Sequence, residues 1–403
     1  MMRLQPLPAL YTTQFLSAFA DNMILFVIAN LLGENGFSAG ALALVSMAFF
    51  IPYLLLAPWV GPFADKHPKS VVLMIGNLIK ALGVVLLLIV PHNSILMLML
   101  AYFTVGVGAV VYSPAKYGIL PELTENEEEL FQANARIEGF TILAILAGIG
   151  GGGAIAAATT TVTSSIMCLV LFGLSFLMTF WIPRTRSQTL TMDYRSEARQ
   201  FFTSVKVLMQ HPSTNFSLVG TGSFWMSSAV LRIAVLAWIP VALGFNPKDF
   251  AVSLILATTS IGIIAGALLA PKLVPLRYFY RSSWYGLLMM VLIFIFPWVH
   301  VTWLTVLFLL AVGFMGGAYI VPMNTVLQEE GMKLVGAGKT IAVQNFVENG
   351  LMLIGSAIYY AVTFMQLSIS GAIVVQGVIF LGFLIYLRLK VDQIKRSRSA
   401  RLQ

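Results

Sequence analysis

Charged side chains interrupt several stretches of the sequence that are otherwise apolar enough to cross a lipid bilayer. The clearest case is Asp21, which lies inside the run from Gln14 to Phe26. A charge at membrane depth costs about 2.5–3.5 kcal/mol on insertion scales, so it usually faces a partner charge, a bundle interior or a substrate. Further charges stand at or near the same depth: Lys80, Glu138, Arg232 and Glu348. These residues are candidates for a functional site within the membrane.

Residues for metal, redox or cofactor chemistry are scarce in the chain. The single cysteine, Cys168, permits no disulfide, and its apolar neighbours predict a small core residue. The four histidines fall in or beside predicted loops, so they offer neither an intramembrane zinc site nor a proton relay: His67, His92, His211 and His300. We predict no bound metal and no cofactor.

Two enzyme-like patterns do not meet their own requirements. Gly336-Ala-Gly-Lys-Thr340 ends like a phosphate-binding loop, but that pattern needs glycine at position 333, where the chain has Lys333. It also needs a preceding strand. A membrane acyltransferase would be expected to show His-x-x-x-x-Asp, and no histidine of the sequence has aspartate five residues on. The sequence therefore argues against an ATPase and against a lipid-modifying enzyme.

Hydropathy predicts the elements that position the charges. The chain has 403 residues, of which 59% are hydrophobic and 10% charged, and its mean hydropathy is +0.89. Soluble proteins average about 25% charged residues, so this composition predicts an all-α polytopic membrane protein. Windows of about 20 apolar residues give twelve transmembrane helices near residues 9–32, 39–63, 70–91, 94–116, 132–158, 162–182, 216–243, 250–271, 280–298, 302–327, 338–364 and 367–388.

The longest polar break separates six predicted spans from the next six. We predict an N-terminal bundle over 1–182, a cytoplasmic linker over 183–213, a C-terminal bundle over 214–390 and a basic cytoplasmic tail over 391–403. A cytoplasmic N-terminus puts nearly all 24 Lys and Arg residues on inner loops and tails, so the positive-inside rule predicts that both termini are cytoplasmic. The same rule, with attraction to anionic lipids, accounts for the net charge of +8, and we predict no nucleic acid partner.

The two halves of the chain resemble each other at a shift of about 210 residues. Asp21 falls within one residue of the position equivalent to Arg232. Glu138 and Glu348 occupy the same position of the repeat. Such a repeat implies two parallel six-helix bundles with a site between them near the middle of the membrane.

The loop between the second and third predicted spans carries a known type of motif. Its residues Gly61-Pro-Phe-Ala-Asp65-Lys66-His-Pro-Lys69 resemble the Gly-x-x-x-Asp-(Arg/Lys)-x-Gly-(Arg/Lys) loop of the major facilitator superfamily, with Pro68 in place of the second glycine. The resemblance implies the fold of that superfamily, two pseudo-symmetric six-helix bundles. It also implies that Asp65, Lys66 and Lys69 are gating charges that latch the cytoplasmic side. A plain solvated turn is the alternative.

Longer blocks make the resemblance more specific, among them Gln14-Phe-Leu-Ser-Ala-Phe-Ala-Asp-Asn, Tyr112-Ser-Pro-Ala-Lys-Tyr-Gly-Ile-Leu and Gly336-Ala-Gly-Lys-Thr-Ile-Ala-Val-Gln-Asn. Together they resemble the lysophospholipid transporters of the bacterial inner membrane, which are flippases within that superfamily. The resemblance implies flipping of lysophosphatidylethanolamine and related lysolipids from the outer to the inner leaflet. It also implies functional coupling to a cytoplasmic-side acyltransferase with acyl-carrier-protein synthetase activity.

The resemblance implies a site for a headgroup that carries a phosphate and an ammonium. Arg232 would bind the phosphate through two parallel hydrogen bonds, and Asp21 would bind the ammonium. Lys116, at the predicted cytoplasmic mouth, would meet an entering or leaving phosphate. Lys80 and Glu138 are assigned as structural or gating charges. Three further polar residues complete the predicted substrate site: Asn22, Gln344 and Glu348.

Other arrangements of the same charges stay open at this stage. Direct pairing of Asp21 with Arg232 would make a latch between the halves. Lys80 and Glu138 would pair across helices in a purely structural arrangement. Lys116 would then be an ordinary positive-inside anchor.

A proton-coupled exporter of amphipathic drugs is the alternative function within the same superfamily. Gly139, Gly148 and Gly152 have the spacing of the fifth-helix motif of drug/proton antiporters, although Gly153 stands where that motif has proline. Close helix packing by small residues explains these glycines equally well. For a lysolipid flippase we expect uptake without a proton gradient, and an amphipathic cavity with a lateral gap for the acyl chain.

Overall fold

Helix is the only regular secondary structure that the computed structural model shows in the residues it describes, which are 5–38, 40–125, 127–184, 193–246 and 249–399. Eleven helices in these ranges are long and apolar enough to cross a membrane alone, and one bent pair makes a twelfth span. The prediction of an all-α polytopic protein with twelve transmembrane helices is confirmed. The chain divides into two compact units.

The first unit contains six of the spans. Its helices are α1 (Pro6–Glu34), α2 (Ala41–Leu55), α3 (Ala57–Lys66), α4 (Lys69–Ile89), α5 (Ile95–Gly118), α6 (Leu120–Leu123), α7 (Glu127–Ala147), α8 (Gly153–Ala158) and α9 (Thr161–Met178). α5 packs along α4 and α2, and α1 packs against α7 and α9. Apolar residues that stay exposed on these helices, such as Leu78, Leu82 and Leu100, suit a surface that faces lipid.

The second span of the unit is broken, whereas the hydropathy profile predicts one continuous stretch over 39–63. α2 and α3 meet at Leu56 with a bend of 62°. Pro58 stands in the first turn of α3. Proline has no N–H, and in a continuous helix its ring clashes with the carbonyl four residues earlier, which favours a bend before it.

The fifth span changes its helical pitch where the glycines cluster. α7 passes into a π-helical turn, Gly148–Gly152, and continues as α8. A Cβ on Gly148 would lie 2.7 Å from Cβ of Asn22, and a Cβ on Gly152 would lie 2.7 Å from Cβ of Met23. Gly148 and Gly152 therefore let this span pack directly against α1. A Cβ on Gly139, the first glycine of the antiporter-like spacing, would meet nothing within 4 Å.

A helix occupies much of the predicted linker 183–213. This helix, α10 (Tyr194–Gln210), is amphipathic and buries Phe201, Ser204 and Leu208. Near its start, the indole N–H of Trp59 donates to the carbonyl oxygen of Tyr194 at 3.0 Å. The predicted limits of the two bundles and the linker stay a prediction.

The second unit contains the other six spans. Its helices are α11 (Pro212–Leu243), α12 (Phe250–Leu273), α13 (Ser283–Ile295), α14 (Thr302–Val335), α15 (Ala337–Phe364) and α16 (Ile369–Ser399). Short 3₁₀ turns, Leu276–Ser282 and Phe296–Trp298, flank α13. α11 packs against α14, α15 and α16. α16 continues past the predicted end of the last span, so the part of the basic tail 391–403 that the structure describes is helical.

Candidate functional site

A small polar cavity of about 90 Å³ lies inside the first unit. α1 contributes residues with helical spacing i, i+3, i+4 and i+7, which places them on one face: Gln14, Ser17, Ala18 and Asp21. α5 contributes a second stripe with the same spacing: Ala109, Tyr112, Ser113 and Lys116. Tyr53 of α2 and Lys80 of α4 complete the lining. Two of the predicted substrate-binding residues, Asp21 and Lys116, therefore line one cavity.

The carboxylate of Asp21 is paired with Lys80. The two atoms that make the contact, Nζ of Lys80 and Oδ2 of Asp21, are 2.5 Å apart, and the exposed fractions of the two side chains are 2% and 20%. The ammonium also lies 4.9 Å from the ring centroid of Tyr112 and 5.7 Å from that of Phe172. Aromatic faces attract a cation at these distances, so the buried ammonium is stabilised on several sides.

This partner for Lys80 is one that sequence reasoning did not predict. The open alternative paired Lys80 with Glu138, whose side chain lies outside the part of the chain that the structure describes. Arg232, the predicted partner or co-ligand of Asp21, lies half-buried on α11 in the second unit. Its contact with Asp21 or with substrate stays a prediction.

Close packing of α4 on α5 positions the side chain of Lys80 at the cavity. A Cβ on Gly108 would lie 2.5 Å from the carbonyl oxygen of Gly76 and 2.6 Å from Cγ of Lys80. A Cβ on Gly76 would lie 2.7 Å from Cβ of Tyr112. Because neither glycine leaves room for a side chain, the two helices touch through their backbones and the stem of Lys80 runs across α5.

A chain of buried hydrogen bonds lies behind Lys80. Its ammonium donates to Oγ of Ser17 at 2.9 Å, and the Ser17 hydroxyl donates to Oδ1 of Asn77 at 2.9 Å. Nδ2 of Asn77 donates to Oγ of Ser175 at 2.9 Å, and that hydroxyl donates to the carbonyl oxygen of Thr13 at 2.8 Å. The side chains of Ser17, Asn77 and Ser175 are fully buried. The network ties α1, α4 and α9 together around the ion pair.

Three polar atoms on residues that line the cavity make no hydrogen bond with any described residue. They are Oε1 of Gln14, Oδ1 of Asp21 and the hydroxyl of Tyr112. Leaving a buried polar atom unpaired costs about 1–3 kcal/mol. Two of the three can only accept, and Lys116, which lies 4.3 Å from the ring centroid of Tyr117, brings a positive charge to the same cavity. The cavity thus brings oxygen acceptors and a positive charge close together.

Asn22 lies on α1 next to Asp21 but not in the lining of the cavity. Its Nδ2 donates to the carbonyl oxygen of Ala18 at 2.9 Å, and its Cβ faces Gly148. Its predicted contact with substrate stays a prediction.

A second polar cluster lies between α14 and α15 of the second unit. Nε2 of Gln344 donates to Oε1 of Glu348 at 2.8 Å and to Oδ1 of Asn324 at 2.7 Å. Glu348 is 7% exposed and Gln344 is 9% exposed. The structure therefore brings two predicted site residues, Gln344 and Glu348, into one buried cluster, because they are one helical turn apart on α15.

The charged loop after α3 is a compact turn. Nζ of Lys69 donates to the carbonyl oxygen of Ala64 at 2.8 Å and to Oδ1 of Asp65 at 2.5 Å. Lys69 is buried and Lys66 is exposed. The pair joins the end of α3 to the start of α4, and its role as a cytoplasmic latch stays a prediction.

The chain matches the family model of the Major Facilitator Superfamily over residues 10–356. It belongs to this superfamily. The superfamily consists of transporters, so the prediction of a multi-pass membrane transporter that is not an enzyme is confirmed.

Within the superfamily, the chain is similar to proteins named Lysophospholipid transporter LplT. The protein of Cronobacter sakazakii is 37% identical over 365 residues, which is 90% of each chain. That of Yersinia enterocolitica is 36% identical over 348 residues, 86% of this chain and 84% of that one. That of Photorhabdus laumondii is 34% identical over 355 residues, 87% of each. The resemblance to these transporters of the superfamily is confirmed.

Sequence reasoning missed several residues of the cavity and of the network behind it. Gln14 and Ser17 precede Asp21 by seven and four residues, and this spacing could have placed all three on one face of α1. Tyr112 and Ser113 have the matching spacing on α5. Asn77 precedes Lys80 by one helical turn, but nothing in the sequence says that α4 and α1 meet there.

Proposed function

We propose that this member of the superfamily moves lysophospholipids, with lysophosphatidylethanolamine as a principal substrate, from the outer to the inner leaflet of the bacterial inner membrane. The observation that carries the proposal is the cavity of the first unit. It is lined by Asp21, whose Oδ1 has no partner among the described residues, and by Lys116. A zwitterionic headgroup needs both charges. The printed names of the relatives support the same substrate class.

The cavity is small, about 90 Å³, so the proposal puts only the headgroup in it. The ethanolamine end of the headgroup would fit against Asp21 and Gln14, and the phosphate would meet Lys116. Contact of Arg232 and Glu348 with the substrate stays a prediction. The acyl chain would stay in apolar surroundings, since exposing each CH₂ to water costs about 0.8 kcal/mol.

The orientation and the metabolic partner belong to the same proposal. Basic residues on the loops assigned to the cytoplasm support cytoplasmic termini. A lysolipid delivered to the inner leaflet has one acyl chain and a free hydroxyl. An acyltransferase could reacylate that hydroxyl, and the resemblance implies a cytoplasmic-side acyltransferase with acyl-carrier-protein synthetase activity, which would remove the product and maintain the gradient.

Uptake of labelled lysophosphatidylethanolamine by spheroplasts tests the proposal. We expect Asp21→Asn and Arg232→Ala each to lower uptake at least about tenfold, because each removes a charge–charge hydrogen bond with the headgroup, worth about 1.5–3 kcal/mol. Thr104→Ala is the matched control, since the Thr104 hydroxyl donates to its own helix at the carbonyl of Leu100. Uptake that is unchanged in both charge variants, at equal protein levels, would exclude the proposal.

An uncoupler distinguishes lysolipid flipping from the alternative function, proton-coupled export of drugs. Downhill flipping requires no ion, so lysolipid uptake should persist when the proton gradient is collapsed at constant ATP. Abolition of uptake under these conditions would favour the exporter. Close packing against α1 is a structural reason for Gly148 and Gly152 that does not depend on the exporter alternative.

A further inference from the structure

The hydrogen bonds behind Lys80 have only one possible direction. The carbonyl oxygen of Thr13 can only accept, so the proton of the Ser175 hydroxyl points to it and the Ser175 oxygen accepts from Asn77. This orients the Asn77 amide with its oxygen towards Ser17, and an amide oxygen also can only accept. The proton of Ser17 is therefore committed to Asn77. What Ser17 offers to Lys80 is a lone pair.

Lys80 thus has two oxygen acceptors of different kinds. Ser17 is a fixed acceptor, because the buried chain through Asn77 holds its hydroxyl in one orientation. Asp21 is an exchangeable acceptor, because it lines the cavity and one of its oxygens has no partner among the residues described. If a second cation took the carboxylate of Asp21, Ser17 and the rings of Tyr112 and Phe172 would still stabilise the ammonium of Lys80.

We propose that Ser17 is a specificity-determining residue that retains Lys80 while Asp21 exchanges it for the ammonium of a headgroup. The inference rests on the proposed function and deepens it. In the resting state Lys80 occupies the place of the substrate cation on Asp21. Binding then replaces one ion pair with another, so the buried carboxylate is never left without a positive neighbour.

The exchange explains how the site would favour lipids that carry an amine. A headgroup with an ammonium can take over Asp21, whereas an anionic headgroup without one gains nothing from the exchange. Without the Ser17 oxygen, Lys80 would have no fixed acceptor and would compete more strongly for Asp21. The loss should therefore weaken binding of amine lipids selectively.

Transport kinetics of Ser17→Ala test this role. We expect KM for lysophosphatidylethanolamine to rise about tenfold, the equivalent of one lost hydrogen bond to a charged group, while kcat stays within about twofold of the wild type. KM for lysophosphatidylglycerol, which has no amine, should change less than about twofold. Ser17→Thr, which keeps the hydroxyl, should restore the wild-type KM for both lipids.

Ser46→Ala is the matched control. Ser46 is also a buried serine of the first unit, but its hydroxyl donates to its own helix at the carbonyl of Leu42, 2.7 Å away. A rise in KM of the same size for both lipids in Ser17→Ala would indicate general damage to the site and overturn the proposal. An unchanged KM for the amine lipid, or no recovery in Ser17→Thr, would also overturn it.

Two precautions keep the outcome decisive. If Ser17→Ala does not fold, Ser17→Cys replaces it, because a thiol is a weak acceptor in nearly the same volume, and KM for the amine lipid alone should rise. If the wild type transports only the amine lipid, the test is whether KM for that lipid rises in Ser17→Ala and returns to the wild-type value in Ser17→Thr. A wild type that transports neither lipid would refute the proposed function itself, which distinguishes that failure from failure of the role of Ser17.

Discussion

Lys80 binds one oxygen of Asp21, and the other oxygen has no partner among the residues that the structure describes. The contact to Oδ2 is 2.5 Å, and Oδ1 makes no hydrogen bond with any residue in the described part of the chain. A buried structural ion pair normally satisfies its remaining lone pairs, because an unpaired one is costly. A carboxylate that holds one cation through one oxygen can accept an incoming cation on the other before the first one leaves, so it is suited to the exchange.

Lys80→Met should destabilise the protein by removing the only positive charge within ion-pair distance of Asp21 among the described residues. Breaking one side of a buried pair typically costs about 3–5 kcal/mol. Thermal unfolding in detergent measures the change. Lys80→Met combined with Asp21→Asn should recover most of the loss, since no unpaired charge remains, but should not recover transport. A double variant no more stable than Lys80→Met would contradict this account.

Gly108→Ala should disturb both stability and transport. Its Cβ would lie 2.5 Å from the carbonyl oxygen of Gly76 and 2.6 Å from Cγ of Lys80, so α4 and α5 must separate or Lys80 must move. Overpacking of this kind costs about 1–3 kcal/mol. Gly173→Ala on α9, where a Cβ would meet nothing within 4 Å, is the control and should leave the melting temperature and uptake unchanged or slightly raised. Equal behaviour of the two variants would show that the close approach is unimportant.

Lys69→Met should weaken the junction between α3 and α4. The ammonium of Lys69 binds the Ala64 carbonyl and the Asp65 carboxylate, and a hydrogen bond to a charged group contributes about 1.5–3 kcal/mol. Lys66→Met removes an exposed charge of the same loop and should change the free energy of unfolding by less than about 0.5 kcal/mol. Chemical denaturation of the two variants measures the free energy of unfolding of each. Similar losses would argue for a general charge effect.

Glu348→Gln should separate the charge of this residue from its hydrogen bond. The amide keeps an oxygen for Nε2 of Gln344, so the cluster with Asn324 should persist and the melting temperature should stay close to that of the wild type. Uptake of lysophosphatidylethanolamine should fall at least about tenfold if the charge meets substrate. Glu329→Gln, an exposed position of α14, should leave uptake unchanged. Full activity of Glu348→Gln would remove Glu348 from the site.

The spans were predictable because the bilayer requires long apolar helices, and hydropathy measures that directly. Hydropathy does not predict the break at Leu56, although Pro58 is visible in the sequence, because it averages over residues that end a helix. Hydropathy also does not predict the π-helical turn. The spacing of its glycines does not say which helix they contact.

The site was predictable only in part. Asp21 and Lys116 stand out as charges in apolar surroundings, and both line the cavity. The pairing of Asp21 with Lys80 was not predictable, because the two residues are 59 positions apart and no periodicity links the relevant turns of α1 and α4. The roles of Ser17 and Asn77 are not predictable from the sequence, because a single polar residue in a membrane helix does not indicate which residue it contacts.

The most direct measurement is the flip rate of a fluorescent lysophosphatidylethanolamine in liposomes that contain the purified protein and no ion gradient. The account predicts that the wild type accelerates flipping well above protein-free liposomes. It also predicts that Asp21→Asn lowers the rate at least about tenfold, because the headgroup ammonium loses its charged partner. A wild-type rate equal to that of protein-free liposomes, or an Asp21→Asn rate equal to that of the wild type, would contradict the account.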